Sequence, residues 1–167
     1  MSTQEPPPGR VSIDPDVDLS VPAQRAETAG AGRWRVLSVI AAGGALGASA
    51  RYAASLAWPA AEGAFPRAVF VVNVTGCALI GVLMVLVAER GVVTHPLLRP
   101  FLGVGVLGGF TTFSTYAADV SELLERQEVL VAMAYAWATV VAALGAVWGA
   151  AVLTRAVVDR DRRGRAG

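Results

Sequence analysis

The 167-residue chain has no lysine, a single cysteine and a single histidine, and its long apolar runs hold no aspartate or glutamate away from their ends. Each scarcity excludes something. With Cys77 alone, no intrachain disulfide and no thiolate cluster can form, and a small buried thiol in the second apolar run is expected. His95 stands alone before Pro96, at a helix start. No nucleophile, base and orienting group come together around it, and the chain is not expected to be an enzyme. The missing mid-run carboxylates remove the titrating group on which proton-coupled transport ordinarily depends. No ATP site is visible, and nothing points to nucleic acid.

What is present is apolar surface, with 54% of residues hydrophobic. Four runs, 36–58, 68–88, 97–120 and 129–153, each reach the ~20 residues that a bilayer requires. They predict an all-α membrane protein, four transmembrane helices in a channel domain over 33–154, with short connections that make successive helices antiparallel hairpins. The first run is too long for the core of a cleavable signal and follows a polar stretch. Residues 1–32, rich in Pro, Gly, Ser and Asp, are expected to form a disordered cytoplasmic tail, and 155–167 a charged C-terminal tail. For either tail a role beyond solubility would be contact with anionic membrane lipid. About ten arginines lie near the span ends on the side of both termini, against Arg67 and Arg126 on the other, which places both termini in the cytoplasm of a multi-pass plasma-membrane protein.

The third run carries a stretch that helices disfavour, Gly-Val-Leu-Gly-Gly-Phe-Thr-Thr-Phe-Ser-Thr-Tyr at 105–116. Paired glycines lose backbone entropy on becoming helical, Thr is stiff at χ1, and Ser and Thr compete for backbone hydrogen bonds. A broken helix inside a membrane needs protein, water or an ion to meet the freed backbone groups, so a functional break is expected here. Around it stand neutral donors: Asn73 and Thr75 in the second run, Thr111, Thr112, Ser114 and Thr115 in the third, Tyr135 and Thr139 in the fourth. Arg51 is the full charge well inside a span. Phe113 and Tyr116, three apart, share a face of the resumed helix and can present the positive edges of their rings. Donors without neighbouring carboxylates suit a dehydrated anion, while carbonyls freed around Gly108 to Thr111 suit a dehydrated alkali cation. One chain offers too few such oxygens. Gly43, Gly44, Gly47 and Ala48 form a close-packing face on the first helix, and Gly145 and Gly149 a second small-residue pair on the fourth.

Three ordered segments resemble the Fluc/CrcB fluoride channel family: Gly-Gly-Ala-Leu-Gly-Ala-Ser-Ala-Arg-Tyr at 43–52, Phe-Val-Val-Asn-Val-Thr-Gly at 70–76 and Gly-Gly-Phe-Thr-Thr-Phe-Ser-Thr-Tyr at 108–116. Tyr135 and Thr139 are similar to the family's fourth-helix Tyr-x-x-x-Ser pair. The resemblance implies a channel of two antiparallel subunits with two fluoride pores and a central structural sodium ion that is not transported. Carried over residue by residue, backbone carbonyls of Gly108 and Thr111 would hold the sodium. Phe113 and Tyr116 would turn ring edges to fluoride, with Asn73, Ser114, Tyr135 and Thr139 along a polar track and Arg51 attracting anions at a pore mouth. Tyr116 stands where the family usually has Phe, adding a hydroxyl that needs a partner, and Ala143 replaces a hydroxyl that some members carry. The expected function is passive fluoride export that relieves cytoplasmic toxicity. A small four-helix drug or cation exporter is the alternative.

An antiparallel homodimer requires one sequence to insert both ways, with little arginine bias. The imbalance here favours one-way insertion, so the dimer partner is either a second copy or a paralogous subunit of opposite orientation.

Overall fold

The computed structural model describes residues 31–89 and 95–165; of the tail expected over 1–32, residues 1–30 lie outside the described residues, while Ala31 and Gly32 already belong to the first helix. The chain divides into two compact units, Met1–Arg35 and Val36–Gly167. In the first, the Arg33 guanidinium lies 5.9 Å from the Trp34 ring centroid. Such a cation and indole pair suits a membrane interface.

The described elements are all helical: α1 (Ala31–Ala57), α2 (Arg67–Leu83) continued by a π-helical turn (Met84–Glu89), a second π-helical segment (Pro100–Leu107), the short α3 (Gly108–Phe110), α4 (Phe113–Glu125) and α5 (Val129–Arg165). Four stretches are long and apolar enough to cross a membrane, namely Arg33–Ala57, Arg67–Val87, Pro100–Glu125 and Val129–Arg160. Large apolar side chains on their outer faces stay exposed, Leu130 at 88% and Trp148 at 72%. Lipid, rather than protein, is the natural solvent for such surfaces.

A glycine seam within the second unit runs between α1 and the third span. A Cβ at Gly43 would stand 2.5 Å from the Phe101 carbonyl oxygen, and one at Gly47 would meet the Val106 carbonyl and, at 2.8 Å, the Phe110 nitrogen. Only glycine permits backbones this close, so the expected packing face of the first helix is realised against the third. Gly145 and Gly149, by contrast, meet nothing within 4 Å in the single chain.

On the other side, α2 packs along α5 in the most extensive helix pairing. The core there joins Val69 of α2, Leu123 of α4, and Ala132 and Tyr135 of α5, with Phe65, Phe70 and Tyr116 packed around it. Phe65 stacks edge-on against both Phe70 and Tyr135, at centroid distances of 5.4 and 5.2 Å.

Two boundaries differ from the sequence reading. The connection expected over 121–128 is largely helix, because buried Leu123 belongs to the core and carries α4 on to Glu125. The turn that follows is a Schellman end: the Gln127 N–H donates to Leu124 O at 2.9 Å and the Glu128 N–H to Leu123 O at 2.9 Å. Gln127 adopts φ 63°, a left-handed conformation that favours glycine. Gln127→Gly is therefore expected to raise stability by about 0.5–1 kcal/mol, since a side chain in that conformation costs roughly 1–2 kcal/mol and glycine's greater unfolded-state entropy returns part of the gain. A detergent-solubilised thermal melt checks it; an unchanged or lower midpoint would show that the turn is not strained. The second difference is α5, which continues through the expected C-terminal tail to Arg165. Ala, Val and Arg after Leu153 are compatible with helix, and Arg155 and Asp159 are spaced one turn apart.

Candidate functional site

The helical path fails at Thr111 and Thr112, whose dihedrals, φ −76°, ψ 156° and φ −149°, ψ 122°, are extended. Leaving the helix at this point strands backbone groups, and specific side chains collect them. The amide of Asn73, 39 residues away, pairs with both backbone groups of Thr112: Nδ2 donates to Thr112 O at 3.0 Å and the Thr112 N–H donates to Oδ1 at 2.9 Å. Asn73 acts there as a surrogate peptide unit. Its Nδ2 carries two hydrogens, so one donor remains after this pairing.

Thr112 in turn starts the next helix. Its Oγ1 accepts from the Thr115 N–H at 3.1 Å as the N-cap of α4, donates to Thr115 Oγ1 at 2.9 Å and lies 3.3 Å from Ser114 Oγ. This is the ordinary chemistry of a capping threonine. Thr111 bonds back to Leu107 O through both its N–H and its hydroxyl, at 3.0 and 2.9 Å. From α1, the Arg51 Nε donates to Gly109 O at 3.2 Å. Gly76 of α2 completes the fit, because a Cβ on it would run into the Thr111 methyl.

These bonds account for individual carbonyls. In an uninterrupted helix the Thr112 N–H would donate to Gly108 O, and the Thr115 N–H to Thr111 O. Asn73 and the Thr112 hydroxyl have taken those donors. Gly108 and Thr111 are therefore the carbonyls deprived of their helical partners by named side chains.

Beside the break lies an open groove of about 260 Å³, lined by Asn73 and Cys77 of α2, Thr111, Thr112, Phe113 and Tyr116 of the third span, and Thr139, Val140 and Ala143 of α5. Phe113 is 80% exposed, with its ring 5.8 Å from that of Tyr116 at an interplanar angle of 46°. The extra hydroxyl of Tyr116 has a partner: it donates to Ala136 O at 3.1 Å. Its ring lies 5.4 Å from Tyr135, which is fully buried. Thr139 donates back to Tyr135 O at 2.7 Å, the usual habit of a hydroxyl in a membrane helix. Ala143 leaves its end of the groove without a hydroxyl.

Of the residues singled out from sequence, Asn73, Thr111, Phe113, Tyr116 and Thr139 meet in this groove, and Ser114 adjoins it through Thr112. Tyr135 lies behind Tyr116, and Arg51 reaches the break from α1. One partner was missed. Tyr135 OH donates to Asp119 Oδ2 at 3.0 Å, and Asp119 lies inside the helical span that ends at Glu125 rather than at its edge. No local spacing signalled it, because the two partners stand on different spans, 16 residues apart. Asp119 also lines a second cavity of about 200 Å³ under the loop before α2, together with Glu62, Glu122 and Arg126. Arg126 pairs there with Glu62 at 3.2 Å and with Glu122 at 3.1 Å. Those exposed pairs tie loop to helix end, each contributing little because water screens them.

Four apolar spans, the third locally unwound beside a groove of neutral donors and aromatic edges, define a multi-pass membrane protein. Its relatives place it more closely. The description "CrcB-like protein, Camphor Resistance (CrcB)" belongs to a family model that matches residues 38–151, and the chain is a member of that family. It is similar to "Fluoride-specific ion channel FluC 1" of Streptomyces coelicolor, 53% identical over 129 residues that cover 75% of this chain and 83% of that protein. A second relative, "Fluoride-specific ion channel FluC 2" of Nocardia farcinica, is 59% identical over 112 residues, 67% of this chain and 79% of its own length. The protein of the same printed name from Thermobifida fusca is 47% identical over 127 residues, covering 76% of this chain and 93% of that one.

Proposed function

We propose that the chain is a fluoride-selective channel that lets the anion leave the cytoplasm passively and so relieves fluoride toxicity. The observation that carries this reading is the groove at the broken third span, where neutral donors and ring edges converge in a member of a family whose relatives bear the name fluoride-specific ion channel. A small, strongly hydrated anion must exchange water for fixed donors. Asn73 has one amide hydrogen beyond its bonds to Thr112, and the edges of Phe113 and Tyr116 add positive quadrupole lobes. The hydroxyls of Ser114, Tyr135 and Thr139 are already hydrogen-bonded within the protein. Each would rotate from its present partner to serve the ion, exchanging one acceptor for another rather than being stripped bare. Arg51 does not line the groove; it reaches the break from α1 through Gly109 O.

The groove is open along one side, and Phe113 stands mostly exposed, which suits closure by a second subunit. The assembly we favour is an antiparallel dimer, either with a second copy or with a paralogous subunit of opposite orientation, in which the breaks of the two chains meet. Carbonyl oxygens of Gly108 and Thr111 from both chains would then hold a structural, non-transported sodium ion. The pattern of donors withdrawn from those two carbonyls fits such a cation. Bound there, it would neutralise converging carbonyl dipoles and fasten the subunits.

The exporter alternative requires a carboxylate deep in a span. Asp119 does not suit it, because it sits near the loop-lined cavity with Arg126 and its Oδ2 is engaged by Tyr135. Liposomes containing the purified chain alone, with sodium present, are expected to release fluoride and to retain chloride. Selective release would also show that one gene product suffices. Silence from a folded sample, unrelieved by co-expression with a related subunit, would overturn the fluoride reading.

A further inference from the structure

Arg51 invites a pore-mouth role by its charge alone, yet its bonding describes something else. The Gly109 carbonyl would receive the Phe113 N–H in a continuous helix. Phe113 instead opens α4 after two extended residues, and Gly109 O is met by the Arg51 Nε–H at 3.2 Å, across 58 residues of sequence. The guanidinium reaches that oxygen because α1 lies directly against the third span through glycine: a Cβ at Gly109 would strike the Gly44 carbonyl, and one at Gly105 would be 2.9 Å from Ile40 O. The groove is lined from α2, the third span and α5, whereas Arg51 comes from α1. A bond to an ionised donor is among the stronger hydrogen bonds, more so where water is scarce.

We propose that Arg51 is a positioning residue of the broken helix: its Nε–H replaces the missing helical donor of Gly109 and, with Asn73 gripping Thr112, fixes the segment between them that carries the Gly108 and Thr111 carbonyls. Arg51 acts on conduction through backbone geometry, not through attraction of anions by its charge. The assignment rests on the channel reading above and gives the first helix a task within it.

Side-chain length separates the two roles. In Arg51→Gln the amide nitrogen is as many bonds from Cα as Nε, so the donor stays while the charge goes. Arg51→Lys keeps the charge and moves its donor one atom farther, and Arg51→Met removes both. Fluoride efflux is measured from liposomes for wild type and all three, at low and high fluoride, alongside thermal melts in sodium and in a bulky organic cation. Arg51→Gln is expected within about threefold of wild type, whereas Lys and Met fall about 10- to 100-fold, the loss that an unanswered half-buried carbonyl implies. That loss should persist at high fluoride, and the sodium-dependent rise in melting temperature should shrink in Lys and Met but not in Gln. Lys near wild type with Gln as poor as Met, or a deficit relieved by raising fluoride, would overturn the proposal in favour of charge attraction. Failure of all three to fold would also count against it, because the Gln donor is held to suffice. An inactive wild type would instead indict the channel reading itself.

Discussion

Gly47→Ala is expected to cost the protein most of its fluoride flux and much of its yield. The added methyl would overlap the Val106 carbonyl and come within 2.8 Å of the Phe110 nitrogen, both backbone atoms that cannot rotate aside. Relief requires α1 to move away along the seam, and Gly43 against Phe101 and Gly44 against Gly109 lose their contact with it. Overpacking of a rigid site ordinarily costs about 1–3 kcal/mol, and separation of a glycine seam adds the lost packing along its length. We expect Gly47→Ala to lose at least half its yield of monodisperse protein and most of its flux. Gly145→Ala, where a Cβ meets nothing within 4 Å, is the matched control and should behave as wild type in the isolated chain. Equal behaviour of the two in size-exclusion chromatography would show that the seam is looser than described; loss at Gly145 alone would point to a subunit contact there.

The second large effect is expected at Asn73. Asn73→Leu keeps nearly the same shape and removes the partners of both Thr112 N–H and Thr112 O. Each stranded group costs about 1–3 kcal/mol, so the break should be destabilised by roughly 2–6 kcal/mol, a change large enough to silence conduction even if the bundle survives. Asn73→Asp separates the two bonds. A carboxylate still accepts from the Thr112 N–H but opposes the Thr112 carbonyl, and its charge repels an anion in the groove. Both variants should lack measurable fluoride efflux. Leu, without the repulsion, should nonetheless show the greater loss of hydrogen-exchange protection at 111–115. Wild-type efflux from Asn73→Leu would show that the break holds itself without the amide, and would remove Asn73 from the pathway as well.

Much of this architecture was legible as spacing and composition. Gly43, Gly44 and Gly47 fall on one helical face, and a face of glycines in a membrane helix has one main use. The Gly-Gly-Phe-Thr-Thr sequence likewise marked where helical geometry is poorest, and Phe113 and Tyr116 approach each other because they lie three positions apart on a helix. Pairings across sequence were not legible. That Asn73 would grip Thr112, that Arg51 would find Gly109 rather than open water, and that Tyr135 would hold Asp119 depends on how spans rotate against one another. Local periodicity does not encode that rotation. The end of the third span was misplaced for a related reason: charges at Glu122 and Glu125 resemble a loop, while burial of Leu123 against α2 and α5 keeps the chain helical. The sequence pattern also suggested nothing of the Schellman turn, since its left-handed position is filled by Gln127 and not by glycine.

The length of α5 has a practical consequence. At about 1.5 Å per residue its 37 residues extend roughly 55 Å, against a hydrocarbon slab of about 30 Å, so a good part of the rod stands clear of the bilayer. A spin label or fluorophore fixed near its exposed turns would ride on the same rigid body that carries Tyr135 and Thr139. In a paired channel the spacing of two such labels would report relative orientation directly: rods raised on one face of the membrane sit close together, and rods raised on opposite faces are separated by the full thickness of the bilayer.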